Sequence, residues 1–121
     1  MHRATQIYKN VANEISSARE LEASLLLRSA ARFQAICDSW ENRKPELNEA
    51  LLFNRKLWTI FLASITREDN PLPVEIRRNV YSLGLFVINR TIKLTSDPKP
   101  EGLGSLININ RELAAGLQTN A

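Results

Sequence analysis

The chain has 121 residues, of which 44% are hydrophobic and 24% are charged, and this composition fits one folded domain with a single modest core. Its one cysteine, Cys37, excludes an intrachain disulfide, and no apolar run approaches the roughly 18 residues needed to cross a bilayer. Charged residues interrupt the first 17 positions, which excludes a secretory signal there, so we expect a cytoplasmic protein without membrane insertion.

Glycine is scarce, with four residues, and strand-like alternation is nowhere sustained. We therefore predict an all-α fold, a small single-domain helical bundle of four to five helices spanning residues 1–121. We expect residues 1–16 and 118–121 to be mobile. Within the first of these segments, Ile7, Tyr8 and Val11 have the spacing of a short helix over residues 4–14.

The first long helix is predicted over residues 18–41. Ser17 and Glu20 have the spacing of a capping box, in which each side chain bonds a free backbone donor at a helix start. The side chains expected on the inner side of this helix are Leu21, Leu25, Phe33, Ile36, Cys37 and Trp40.

Pro45 suits the first turn of the next helix, because its missing donor would be unpaired there anyway. At about 100° per residue, one narrow stripe then contains Leu47, Ala50, Leu51, Leu57, Trp58, Phe61, Leu62 and Ile65. The sequence Asn70-Pro71-Leu72-Pro73 ends this helix, since both prolines resist a helical continuation.

The third long helix, from about residue 73 to 94, carries two apolar stripes on nearly opposite sides. The first stripe is Ile76, Val80, Leu83, Val87 and Leu94; the second is Val74, Tyr81, Leu85, Ile88 and Ile92. Either the helix is central and packed on both sides, or one stripe receives an amphipathic helix from a partner. A loop over residues 97–102 follows, and Ser105 is expected to cap a final helix carrying Leu106, Leu113 and Leu117.

The residues needed for catalysis are few. His2 is the only histidine and lies near a chain end, while Cys37 lies on an apolar stripe with no histidine near it. Gly102-Leu103-Gly104 lacks the further glycine and the preceding strand of a phosphate-binding loop. We predict no enzymatic activity, no cofactor and no metal site.

Net charge is +3, which raises the question of nucleic acid. The basic residues are scattered and mostly have acidic neighbours, which favours an ordinary solvated surface. The pairs Arg55-Lys56 and Arg77-Arg78 keep a nucleic-acid-binding regulator as the alternative.

Two amides lie where apolar residues are expected. Asn54 falls within the stripe of the second long helix and Asn110 within that of the last. A buried amide must be hydrogen-bonded, because an unpaired one costs roughly 1 to 3 kcal/mol. They either fix the register of the helices inside the core or meet the backbone of a partner.

Several blocks of residues resemble the FlaF family of flagellar biosynthesis regulators over almost the whole chain. They are Arg19-Glu20-Leu21-Glu22-Ala23, the run from Glu49 to Trp58, Pro71-Leu72-Pro73, Ile109-Asn110-Arg111 and Ala115-Gly116-Leu117. Ala18 stands where family members often have proline, a departure that leaves a helix start intact.

The resemblance implies a cytoplasmic protein needed for flagellin production and export. It also implies action together with the FlbT regulator, and a role as a secretion chaperone that binds flagellin. The alternative within this setting is a post-transcriptional regulator that binds flagellin mRNA. From the matched blocks we expect Arg19, Asn54 and Trp58 to be important positions, and the place of Trp58 on the core stripe favours a structural role for it. For contact with a partner we select the stripe residues Tyr81, Leu85, Ile88 and Ile92.

Overall fold

The structure, a computed structural model, describes residues 2–119, with only the backbone described at positions 2, 15, 16 and 119. Its helices are α1 (His2–Asp38), α2 (Trp40–Arg43), α3 (Leu47–Ile65), α4 (Val74–Ser96) and α5 (Leu103–Thr119), with 3₁₀ turns at Lys44–Glu46 and Pro100–Gly102. No strand occurs within residues 2–119. The predicted all-α bundle, with four long helices and one of a single turn, is confirmed.

Helix α1 is much longer than the sequence suggested. The predicted start at the Ser17–Glu20 capping box is wrong, because the helix runs without interruption from residue 2. No glycine or proline lies between positions 2 and 17, so nothing breaks the helix there. Residues 3–14 are all exposed, and Gln6 Nε2 donates to Asn10 Oδ1 one turn further on, at 3.2 Å. The predicted mobile ends include residues 1, 120 and 121, which lie outside the described residues.

The C-terminal half of α1 supplies one wall of the core. Phe33 and Ile36 are fully buried as predicted, and Cys37 is partly buried. Leu21 was expected inside but is 60% exposed. It precedes the buried Leu26 by five residues, which places it about 140° away from the core side of the helix.

Helices α3 and α5 both run antiparallel to α1 and enclose the core with it. At one end the Cys37 thiol donates to the Pro100 carbonyl at 3.6 Å. At the other end Leu113 and Leu117 of α5 approach Ala18 of α1. The largest fully buried hydrophobic side chains are Trp58, Phe33, Leu26, Ile36, Leu51, Leu103, Leu106 and Val87.

The connection into α3 is a 3₁₀ turn instead of the first turn of the helix. Pro45 lies in this turn and α3 begins two residues later, at Leu47. Arg43 donates two hydrogen bonds to the Glu46 carboxylate, at 2.8 and 2.9 Å. These bonds and the charge of Arg43 hold the pKa of Glu46 below its ordinary value of 4.5. The predicted stripe of α3 is confirmed, with Leu62 only partly buried.

A chain of polar side chains crosses the centre of this core. Asn54 Oδ1 accepts from Ser29 Oγ at 2.9 Å and from Asn110 Nδ2 at 2.8 Å. Asn110 Oδ1 in turn accepts from the Trp58 indole at 2.9 Å. All four residues are at most 2% exposed, and they join α1, α3 and α5. Both amides therefore lie inside the core, bonded to side chains of other helices and not exposed to a partner.

Helix α5 begins two residues before the predicted cap. A 3₁₀ turn from Pro100 leads directly into the helix at Leu103, so Ser105 already lies within the first helical turn. A β-carbon at Gly102 would collide with the side chain of Leu94. The lack of a side chain at Gly102 therefore lets this turn lie close against the end of α4.

Candidate partner-binding surface

Helix α4 packs on the bundle mainly through one side. Pro73 precedes it as predicted, and Val80, Val87 and Leu94 of the first apolar stripe are buried. Ile76 and Leu83 from the same predicted stripe are instead each 37% exposed. The stripe is therefore narrower than the sequence suggested, because α4 contacts chiefly α3 and only touches α5 at a few points.

Gly84 sets how closely α4 lies against α3. It is buried, and a β-carbon built there would collide with the side chain of Leu62 on α3. The absence of a side chain thus lets the two helices approach. Thr91, one turn beyond Val87, donates its hydroxyl to the Val87 carbonyl at 2.7 Å and so needs no partner outside its own helix.

The second apolar stripe of α4 faces outward. Val74 is 52% exposed, Tyr81 45%, Leu85 48% and Ile92 61%, and Ile88 is half-buried. A central helix packed on both sides would have buried this stripe, so that interpretation is wrong. What remains is an uncovered apolar face of about 27 Å, the length of 18 residues of α-helix.

Basic side chains border the N-terminal part of this face. Arg77 and Arg78 line a shallow groove of about 520 Å³ together with Val74, Tyr81 and the end of α3. Arg77 Nη1 donates to the Arg67 carbonyl at 3.4 Å, which ties it to the α3–α4 loop. The border therefore carries positive charge beside exposed apolar groups, a combination that suits an amphipathic segment with acidic flanks.

The two basic pairs suggested for nucleic acid do not form one patch. Arg55 lines a groove with Thr91 and Thr95 near the C-terminal end of α4. Arg77 lies 14 residues before Thr91 on the same helix, a separation of about 21 Å. A nucleic-acid site would therefore have to span most of the length of α4.

Two of the selected residues, Asn54 and Trp58, do not reach the surface. Both side chains are 0% exposed and belong to the hydrogen-bonded chain in the core. Direct contact with a partner does not fit this structure, because Asn54 Oδ1 and the Trp58 indole are bonded within the bundle and Asn54 Nδ2, which has no hydrogen bond, is buried as well. Their part in any binding surface is to hold α3 in place beneath α4.

The third of these residues, Arg19, lies at a cleft that the sequence did not predict. The cleft, of about 280 Å³, opens at the end of the bundle where α1 leaves it. Its walls come from every long helix and from the α3–α4 loop: Glu14, Ala18, Arg19, Glu22, Phe61, Ser64, Ile65, Asn70, Pro71, Leu72, Val80, Leu113 and Leu117. The positions are scattered through the chain, so no local pattern could have revealed it.

The loop side of the cleft is held by Asn70. Its side-chain amide donates to the Ser64 carbonyl at 3.0 Å, and its Oδ1 accepts from the Leu72 backbone N–H at 3.0 Å. On the α1 side, burial raises the pKa of Glu22, and the nearby charge of Arg19 partly offsets this effect. The cleft is thus a mostly apolar hollow lined on its α1 side by the carboxyl groups of Glu14 and Glu22.

The part of the chain that the structure describes forms neither a metal-binding cluster nor a membrane-spanning helix. Within the described residues, no group of three His, Cys, Asp or Glu side chains is placed to hold a metal ion. Among the helices over residues 2–119, none combines the length and the apolar character required to cross a membrane.

Comparison with known proteins gives one informative result. No curated protein and no solved structure matches the chain. The family model described as flagellar protein FlaF matches residues 4–117, which is nearly the whole chain and includes all four long helices. The chain therefore belongs to the FlaF family of flagellar proteins.

Proposed function

We propose that this protein acts in the cytoplasm as a secretion chaperone for flagellin, with the outward stripe of α4 as the surface that holds the client. The observation that carries the proposal is the exposure of Val74, Tyr81, Leu85 and Ile92 along one face of a single helix. A monomeric protein rarely leaves a contiguous apolar face of this length uncovered unless something binds it.

The spacing of the exposed stripe residues indicates that the client segment is helical. The stripe residues are spaced at seven, four, three and four positions, which is the spacing that receives an amphipathic helix along its length. Unassembled flagellin has terminal segments able to form such helices. Covering their apolar faces on α4 would keep them from aggregating before export.

Reversibility is a requirement of this function, since the client must be released. The stripe offers a few apolar anchors instead of a deep groove, and Arg77 and Arg78 form a polar border. An interface of this kind concentrates its binding energy in a few side chains. We place Tyr81 and Leu85 at its centre, because they lie midway along the exposed face.

The test is calorimetric titration of the purified protein with full-length flagellin and with flagellin lacking either terminal segment. We expect near-stoichiometric binding that tolerates salt and disappears with one of the two deletions. Leu85→Asp and Tyr81→Ala should each weaken binding at least about tenfold, which corresponds to about 1.4 kcal/mol, while helix content stays unchanged.

Ile60→Asp is the matched control. Ile60 is 69% exposed on α3 and lies two residues from Leu62, so it points about 160° away from the side that meets α4. Its substitution should leave binding intact. Unfolding of the Leu85 and Tyr81 variants would place the stripe in the core and refute the surface assigned here.

Two other results would redirect the proposal. Absence of binding to every form of flagellin would make FlbT or the flagellin message the direct partner to test. Binding to that message with an affinity that falls steeply as salt is added would support the nucleic-acid alternative, because protein contacts to phosphates release counterions.

A further inference from the structure

At its N-terminal end α1 extends beyond the bundle as a helical arm. Residues 3–14 are all exposed, and three large apolar side chains are among them: Ile7 is 58% exposed, Tyr8 81% and Val11 48%. A helical arm of this length gains little stability from its own hydrogen bonds in water, and most helices are held by packing of an apolar face. This face has no such packing within residues 2–119.

The arm carries the same face that α1 buries inside the bundle. Ile7, Val11 and Ala18 are separated by four and seven residues, and Glu22, Ser29 and Ile36 continue this spacing at four, seven and seven residues. Residues at these spacings share one side of a helix. Ser29 and Ile36 are buried in the core. The core side of α1 therefore continues outward along the arm, past the cleft at the bundle end.

We propose that a second copy of this chain covers the arm, with the two α1 arms packed antiparallel and each arm reaching the cleft of the other copy. We take the register that brings the apolar residues of each arm to the cleft of the other copy. If Ile7 of one copy lies beside Ala18 of the other, Val11 lies beside Glu14 near the two-fold axis. Both arms then overlap over about 16 Å, and Ile7 and Tyr8 reach the apolar cleft at the partner's α1.

Charge supports this pairing. In the same register Arg3, on the arm, lies opposite Glu22, at the edge of the cleft. The exposed arm from residue 3 to residue 12 contains Arg3 and Lys9 and no acidic residue, whereas Glu14, Glu20 and Glu22 follow where the arm joins the bundle. Antiparallel arms thus place Arg3 beside Glu22 at both ends of the overlap, with the two Glu14 side chains near its centre, whereas parallel arms would place Arg3 beside Arg3 and Glu14 beside Glu14.

The Glu22 carboxyl group lies where a cation from a second copy could pair with it. Burial in the cleft raises its pKa, and Arg19 only partly counters this effect. A guanidinium supplied by the second copy would stabilise the charged carboxylate. The interface also differs from the proposed flagellin surface, since α4 contributes only Val80 to the cleft.

The test is sedimentation equilibrium of the full chain between about 1 and 100 µM. We expect a dimer, and Val11→Glu should raise its dissociation constant at least about 100-fold, because each new carboxylate would lie beside Glu14 of the other copy near the two-fold axis. Ile60→Glu is the control, because Ile60 is an apolar residue on α3 that is 69% exposed and its substitution should leave dimerisation unchanged. Thermal unfolding of both variants would show that the bundle core is intact.

A charge exchange tests the register itself. Arg3→Glu and Glu22→Lys should each weaken the dimer, and the two changes in one chain should restore it. A wild-type monomer at 100 µM, or a Val11→Glu variant that dimerises normally, would overturn the proposal. If the wild type is a monomer and the Val11→Glu variant no longer binds flagellin, the proposal is also overturned and the arm is assigned to the client. Leu85→Asp should weaken only flagellin binding, which keeps the two proposals distinguishable.

Discussion

Replacing Asn110 by leucine tests whether the polar chain through the core stabilises the bundle. The substitution nearly preserves volume but removes two hydrogen bonds, one from the Trp58 indole at 2.9 Å and one to Asn54 at 2.8 Å. The indole N–H would then be buried without a partner, at a cost of about 1 to 3 kcal/mol. Asn54 would lose less, because its Oδ1 still accepts from Ser29.

The expected net loss is about 2 to 3 kcal/mol, which is a large part of the stability of a small domain. For a chain of this size such a loss lowers the melting temperature by on the order of 10 °C. Urea unfolding followed by far-ultraviolet circular dichroism gives the free energy directly, provided that the slope of the transition stays unchanged.

The same substitution at Asn108 is the matched control, because Asn108 lies on α5 two residues away and is exposed. Asn108→Leu should change stability by less than about 0.5 kcal/mol. Ser29→Ala should fall between the two, at about 1 kcal/mol, since Asn54 keeps its bond from Asn110. Equal stability of Asn110→Leu and Asn108→Leu would refute the reasoning that the amide chain contributes to stability.

Two further predictions concern helix packing and pH. Gly84→Val should destabilise the fold by about 1 to 3 kcal/mol in the same urea assay, because the added side chain collides with Leu62 and moves α4 away from α3. An unchanged midpoint of urea unfolding would show that Leu62 moves aside freely. Glu46 has a lowered pKa through its bonds to Arg43, so its contribution to stability is present above its ordinary pKa of 4.5 and is lost as pH falls through the lowered value. Glu46→Gln should therefore be less stable than wild type at pH 7 and equal to it at about pH 2, and a difference that persists in acid would contradict this assignment.

The buried side of α3 could be predicted because it depends only on local spacing. One stripe of large apolar residues at helical intervals must face a core, and the structure buries that stripe. The positions of Asn54 and Asn110 were recognised for the same reason. Their bonding partners were not, since Asn54 and Asn110 are 56 residues apart and meet only through the packing of α3 on α5.

The extent of α1 was mispredicted because a local signal was given too much weight. The side chains of Ser17 and Glu20 suit a helix start, but they do not prevent a helix from passing through them. Prolines predicted the helix boundaries more reliably, as α4 begins directly after Pro73. Proline lacks a backbone donor and cannot be accommodated in a helix interior without loss, whereas serine and glutamate can.

The spacing of residues in the sequence could predict neither the cleft nor the exposure of the α4 stripe. A doubled stripe has the same pattern whether both sides are buried or only one, and the answer depends on how many helices surround α4. Here α5 packs along α1 instead of covering α4. The residues of the cleft come from four helices and a loop, so the hollow exists only when all of them are in place.

The pairing of α1 with α5 also affects how the chain folds during synthesis. These two helices are the most distant in sequence, yet they form the largest packing contact in the bundle. The core therefore cannot close while α5 is still inside the ribosome, and α1 and α3 must wait with their apolar sides exposed. Folding of this small helical protein should accordingly wait until α5 has been synthesised and be slower than its helix content suggests.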